Sequence, residues 1–329
     1  MENNENIFKR FLNIRGMKKV LMVTLGLVVL CMAFSFINPT FHSNRNISNL
    51  LRQIAPILII GLGQSFVLIT GNIDLSIGSV VGMSCMISAT LMTKGMSPFM
   101  AVVITLFICV LTGLINGVLV SGIKIPPFIA TLGTMTVARG VAQIVNNNYN
   151  TDAIGESAQG FRNLFYYGKF LGIYKGVWIA IAMFIVLAII LSKTKFGRHV
   201  YAVGSNEEAA KFSGINVLFV TTLVYIISAI CAGIVGLMMT ATSGIGTMDA
   251  GTMYEMYAVA ASVIGGVSTL GGQGILFGTV IGAGIWGVLQ NGLQFAGAPV
   301  AIRNIVIGII VVASVMLDVV IRKEKPLKK

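Results

Sequence analysis

Thr70-Gly71-Asn72-Ile73-Asp74-Leu75-Ser76-Ile77-Gly78-Ser79 joins two apolar runs, Ile54–Thr70 and Ile77–Met92. Each run is close to the roughly 20 residues needed to cross a hydrocarbon core. A break this short leads to no soluble domain, so the chain turns back into the apolar phase it has just left. Asp74 is the single carboxylate of the long region between residues 20 and 151. The composition agrees: of 329 residues, 56% are apolar and 10% charged, with a mean hydropathy of +0.89. Ordinary soluble domains carry about 25% charged residues, so a single soluble domain is excluded. Disorder fails on apolar content, and the 38 glycines have no collagen period.

Further runs lie at Val20–Ile37, Phe99–Ser121, Phe128–Val145, Val177–Leu191, Phe219–Met239, Tyr257–Val267, Ile275–Leu289 and Ala301–Ile321. With the first two they predict an all-α polytopic membrane protein of about ten transmembrane helices. Tyr257–Val267 is too short to span; it starts earlier, near Gly251, or is a glycine-bounded half-helix. Val20–Ile37 follows a basic block but is too long for a signal peptide and lacks a small-x-small cleavage site, so it reads as an uncleaved first helix.

The net charge of +12 suggests basic cytoplasmic loops rather than nucleic-acid binding. With ten spans and both termini cytoplasmic, 15 Lys and Arg fall inside and 7 outside, with Arg139 within a span near its outer end, where it would snorkel. Eight spans would pass the same parity test. The organisation is then a cytoplasmic segment 1–19, a membrane domain 20–321 and a basic tail 322–329. Loop 146–176 is external and loop 192–216 cytoplasmic. Neither has room for a nucleotide-binding domain, and no Gly-x-x-x-x-Gly-Lys-Ser/Thr loop occurs.

Four scattered cysteines and two histidines offer no metal-ligand spacing, so no metal is expected; the cysteines read as packing residues. Nucleophile elbow, zinc-protease motif and paired intramembrane carboxylates are absent, which argues against an enzyme. Two readings fit Asp74: an N-cap for the run that follows, or an ion-coupling site of a secondary transporter, since intramembrane carboxylates are costly. Gln64, Thr70, Asn72, Asp74, Ser76, Asn116, Thr131 and Thr134 are candidates for a polar translocation path, and equally for hydrogen bonds between helices. Gly71, Gly78, Gly265, Gly266, Gly271, Gly272 and Gly274 read as packing or gating glycines rather than a phosphate loop, which needs a preceding strand.

In the cytoplasmic loop, Ser205-x-x-Glu208 reads as a capping box, Glu207 and Glu208 sit in the first turn, and Gly214 stops the helix. This writes a helix of about two turns, some 12 Å. It contains Asn206, Ala209, Ala210 and Ser213 besides an exposed Phe212. Such a helix is marginal alone and makes sense docked into a partner.

Together these stretches resemble the permeases of ribose-type sugar ABC importers, within the branched-chain amino acid and ribose permease family. The matching motifs are Thr-Gly-x-Ile-Asp-Leu-Ser-x-Gly-Ser at 70–79, Pro127 to Met135, Gly-Arg-x-x-Tyr-Ala-Val-Gly-x-Asn at 197–206 and Glu-Ala-Ala-x-x-Ser-Gly-Ile at 208–215. Gly-Gly-x-Ser-x-x-Gly-Gly-x-Gly at 265–274, Asn291-Gly292-Leu293 and Asn38-Pro39-Thr40-Phe41 continue it, so it covers the chain from about residue 20. The resemblance implies a permease subunit of the bacterial plasma membrane, paired as a homodimer or with a sister permease. A separate ATPase subunit would hold ATP and Mg, leaving this chain without a cofactor, and an extracytoplasmic solute-binding protein would deliver a ribose-like sugar. The 204–214 helix would couple to the ATPase. Ser205 stands where a Gly is common, and is expected to cap better.

Overall fold

The computed structural model describes residues 17–323. The basic segments beyond those limits, which carry much of the charge behind the cytoplasmic-termini reading, lie outside the described residues. The chain is a helical bundle built from α1 (Met17–Ile37), α2 (Asn44–Ile69), α3 (Ile77–Thr93), α4 (Pro98–Gly117, extended by a π turn to Gly122) and α5 (Pro127–Ile144). It continues with α6 (Lys175–Lys193), α7 (Lys195–Ser205), α8 (Glu207–Phe212), α9 (Val217–Ser243), α10 (Tyr254–Ile264), α11 (Leu276–Phe295) and α12 (Val300–Lys323). A two-residue hairpin, β1 (Lys169–Phe170) with β2 (Ile173–Tyr174), is the sheet found among the described residues.

A helix stands at each apolar run. Among the described residues, five helices are long and apolar enough to cross a membrane: 44–69, 98–122, 175–193, 217–243 and 276–295. Large apolar side chains face outward from the bundle, among them Phe107, Phe128, Ile129, Val137, Ile185 and Ile189. That much exposed apolar surface suits lipid rather than water. The chain is therefore a multi-pass membrane protein. α9 is central and packs on α2, α3 and α4, while α10 packs on α2 and α11.

Two elements, α2 and the 192–216 loop, differ from the sequence reading, and α10 takes the second of its two alternatives. α2 begins ten residues before its apolar run, because Ser43 caps it: its Oγ accepts from Asn46 N at 3.3 Å. α10 is a half-helix of 11 residues, about 16 Å long against a core of about 30 Å. It cannot start at Gly251, since Gly251 and Met253 take φ +74° and +70°, which no right-handed helix accepts.

The Ser205–Glu208 capping box does not form. Ser205 is the last residue of α7, and the chain turns extended at Asn206 (φ −164°). Asn206 is the cap: its Oδ1 accepts from Ala209 N at 2.9 Å. Ser205 was misread because the preceding helix runs through it, so its backbone is not free to take cap geometry. The loop is thus two helices, and α8 is shorter than expected at six residues. Gly214 (φ +80°) ends it as anticipated, donating to Lys211 O at 3.0 Å.

Replacing Asn206 with Ala is expected to loosen α8 by about 1 kcal/mol and to speed exchange of the 207–212 amides. Ser205→Ala should leave that exchange unchanged. Hydrogen–deuterium exchange in detergent checks both.

Candidate functional site

One end of the bundle gathers the breaks after α2, α4, α6 and α10. There the glycine-rich stretches meet. Ile69, the last residue of α2, offers its carbonyl to Gly272 N at 2.8 Å. Gly204 of α7 lies against that bond: a Cβ on Gly204 would overlap the Ile69 oxygen and come within 2.7 Å of Gly272 N. A Cβ on Gly271 would in turn meet Gly204 O at 2.7 Å and Gly71 Cα at 2.9 Å. Tyr201, one turn earlier in α7, donates to Gly274 O at 2.6 Å. Four sequence-selected glycines, 71, 204, 271 and 272, therefore form a single backbone-on-backbone junction. It ties α7 to the α2–α3 break and to the α10–α11 break. Gly265 instead packs on Gly278, Gly266 takes φ +90°, and Gly78 lies against Gly251 and Glu255.

α8 continues from this junction into open space. Its Phe212 is 91% exposed. Glu207, Glu208 and Ala209 are exposed, Ala210 is buried, and Ser213 and Gly214 are exposed. Glu207 pairs with Lys124 in the α4–α5 turn, across a cleft of about 190 Å³ that Asn72 also lines.

Asp74 is 1% exposed. Its Oδ1 accepts from Ser76 N at 2.9 Å and Ser76 Oγ at 2.6 Å, and its Oδ2 from Ser228 Oγ at 2.7 Å. Asn116 Nδ2 donates to Ser76 Oγ at 2.9 Å, and Thr134 Oγ1 to Asn116 Oδ1 at 2.7 Å. Asp74, Ser76, Asn116 and the half-buried Thr134, with Ser228, thus form one chain of hydrogen bonds that joins the start of α3 to α4, α5 and α9. The other path candidates stand apart. Thr70 bonds Val67 O, Asn72 bonds Thr70, and Thr131 bonds Pro127 O. Gln64 is fully buried, with no partner for its amide.

The opposite end holds a chamber of about 580 Å³ that none of the path candidates lines. Its wall is aromatic: Tyr254 stands 5.4 Å from Tyr257, and Tyr257 stands 4.4 Å from Trp286, centroid to centroid. Gln53, Gln290, Asp249 and Thr252 add hydrogen-bonding groups. Arg52 is clamped between the rings of Tyr166 and Tyr174, 4.4 Å from each. This anchors the 163–174 segment to α2. Volume and lining match a small-molecule site.

The chamber's floor is residues 249–254, the bottom of a segment that dips from the end of α9 along α3. Its upper part pairs with 150–154: Thr151 N donates to Gly246 O at 3.0 Å and Ile154 N to Gly244 O at 2.9 Å. The lower part lies on Gly82, where a Cβ would meet Ala250 O at 2.6 Å. Arg139 reaches over Gly82, and its Nη1 donates to Met248 O at 2.7 Å and Ala250 O at 2.9 Å. Arg139 therefore does not snorkel outward. The carbonyls of a non-helical segment at depth need donors, and Arg139 supplies them. One local signal points to this region, the charge inside an apolar run; the aromatic wall, drawn from residues 254 to 286, leaves no local pattern.

A sequence model described as "Branched-chain amino acid transport system / permease component" matches residues 46–315. The ribose import permease protein RbsC of Bacillus subtilis (strain 168) is 38% identical over 303 residues, 92% of this chain and 94% of that protein. The D-allose transport system permease protein AlsC of Escherichia coli (strain K12) is 34% identical over 299 residues, 90% of each chain. The galactose/methyl galactoside import permease protein MglC of Salmonella typhimurium (strain LT2) is 33% identical over 330 residues, 96% of each. No solved structure matches.

Gly204→Ala forces the junction apart and is expected to cost about 1–3 kcal/mol, read as a lower thermal midpoint in detergent. Gly122→Ala, whose Cβ meets Leu218 at an ordinary 3.4 Å, should leave the midpoint unchanged.

Proposed function

This chain belongs to the permease family of ABC importers, and from that premise we propose that it is the membrane subunit of an ATP-driven importer of a ribose-like monosaccharide. A sugar cannot enter lipid without losing hydrogen bonds to water, at several kcal/mol for each uncompensated group. The permease supplies a polar route, and we assign its outer mouth to the chamber. The aromatic wall suits the C–H face of a sugar ring; Asp249, Gln53 and Gln290 suit its hydroxyls. The names of the relatives, which import ribose, allose and galactosides, favour a sugar over an amino acid.

The observation that carries the reading is the glycine junction. A separate ATPase subunit, holding ATP and Mg, would dock on α8 through Phe212 and the acidic first turn. α7 would pass the stroke by direct backbone contact to both helix breaks. A second permease, identical or sister, would complete the membrane unit in the bacterial plasma membrane. A solute-binding protein would dock at the chamber end and set most of the selectivity. The ion-coupled alternative finds no support in the site: the Asp74 carboxylate already accepts three hydrogen bonds and lines neither cavity.

Uptake of labelled ribose, galactose and inositol in cells expressing this chain with its ATPase and binding protein should stop on ATP depletion. It should persist when the proton gradient is collapsed with ATP maintained. The reverse pattern would overturn the importer assignment. Replacing Glu207 and Glu208 together with Lys should abolish ATPase co-purification while the thermal midpoint of the permease stays put.

A further inference from the structure

Glu255 is a half-buried carboxylate that nothing above uses. It lies in the first turn of α10, and its Oε2 is shielded from solvent with no hydrogen-bond partner. Such an orphan is expensive unless another state satisfies it. The oxygen rests against Gly78, where a Cβ would overlap it. One turn along α3, Gly82 is the residue over which Arg139 reaches. Glu255 and Asp249 are the carboxylates whose fields act on Arg139. Yet Arg139 spends its hydrogen bonds on the carbonyls of Met248 and Ala250. One guanidinium thus faces two acceptor sets: the carbonyls of the dipping segment, now occupied, and the Glu255 carboxylate, whose Oε2 is without a partner.

We propose that Arg139 and Glu255 form an exchange latch on the chamber floor. With Arg139 on the two carbonyls, the dipping segment is held against α3 and the floor is closed. When Glu255 draws the guanidinium away, the segment is freed and the floor opens. The drive comes from the other end of the same helix. α10 is a rigid rod of 11 residues. The loop that follows it carries Gly271 and Gly272, which touch α7 at the junction. A shift of α7 displaces that loop and, through α10, the Glu255 end. The latch deepens the importer reading: it assigns the regulation of the same chamber.

The test uses the full complex of permease, ATPase and binding protein in proteoliposomes, with labelled ribose as probe. Glu255→Gln should lower the maximal uptake rate by about tenfold or more, the loss of one charge-assisted bond in the open state, with the KM for ribose unchanged. Glu255→Asp, which keeps the charge, should restore much of it. Exchange of the 247–253 amides reads the latch without any sugar. In wild type it should rise with ATP; in Glu255→Gln it should not; in Arg139→Ala it should be high without ATP. Wild-type uptake and ATP-induced exchange in Glu255→Gln would reduce Arg139 to a static staple and overturn the proposal. If Arg139→Ala does not fold, the Glu255 pair decides alone. If wild-type vesicles import no ribose with ATP, that counts against the importer reading, while the exchange data still decide the latch.

Discussion

The bond from Gly272 N–H to the carbonyl of Ile69, with Gly204 laid against it, is the contact on which the rest of the bundle depends. It joins the end of α2, which stops inside the protein, to the loop between α10 and α11. At such an end the last carbonyls have no partner of their own, and no bulk water is at hand to replace one. The molecule solves this by letting three chain breaks satisfy and support one another. The geometry admits no side chain at residue 204, so α7 meets the breaks as backbone against backbone, with no flexible side chain between.

Around that contact the bundle divides its labour. The Asp74 chain of hydrogen bonds fastens α3, α4, α5 and α9 through side chains, and buried polar groups so satisfied favour one arrangement. α10 is held differently. It hangs between two close glycine contacts, at Gly265 on Gly278 and at Gly251 on Gly78. Tight packing of this kind resists gradual deformation and favours discrete positions. A fixed body and a short rod set between two breaks is what a gated passage requires.

How much of this the sequence disclosed depends on the range of the physics involved. Helix positions were legible because a run of apolar residues is a local signal, and Gly214 was legible as a stop because glycine is needed for its conformation. Ser205 was misassigned as a cap because capping depends on where the previous helix ends, which Lys195–Ser205 decides and the motif does not. Each glycine-rich stretch is legible by itself. That residues 71, 204 and 271 touch is a fact of tertiary folding, and nothing in their spacing states it. Asp74, Ser76, Asn116 and Thr134 stand out as polar residues in apolar runs, but nothing local states that they bond to one another. The chamber has no local signature beyond Arg139, since Arg52, Asp249, Tyr257 and Trp286 come from four separate segments.

The closed chain at Asp74 has a consequence for the cell as well as for the fold. A carboxylate inside a bilayer is ordinarily a stepping stone for protons or cations, and a leak of either drains the gradient across that membrane. Here both oxygens are filled by hydroxyl and amide donors held on separate helices, and next to no solvent reaches them. The arrangement makes the only carboxylate at the heart of the first helices an insulator. An importer of the kind proposed above gains nothing from ion flow, and the filled Asp74 carboxylate gives such flow no foothold.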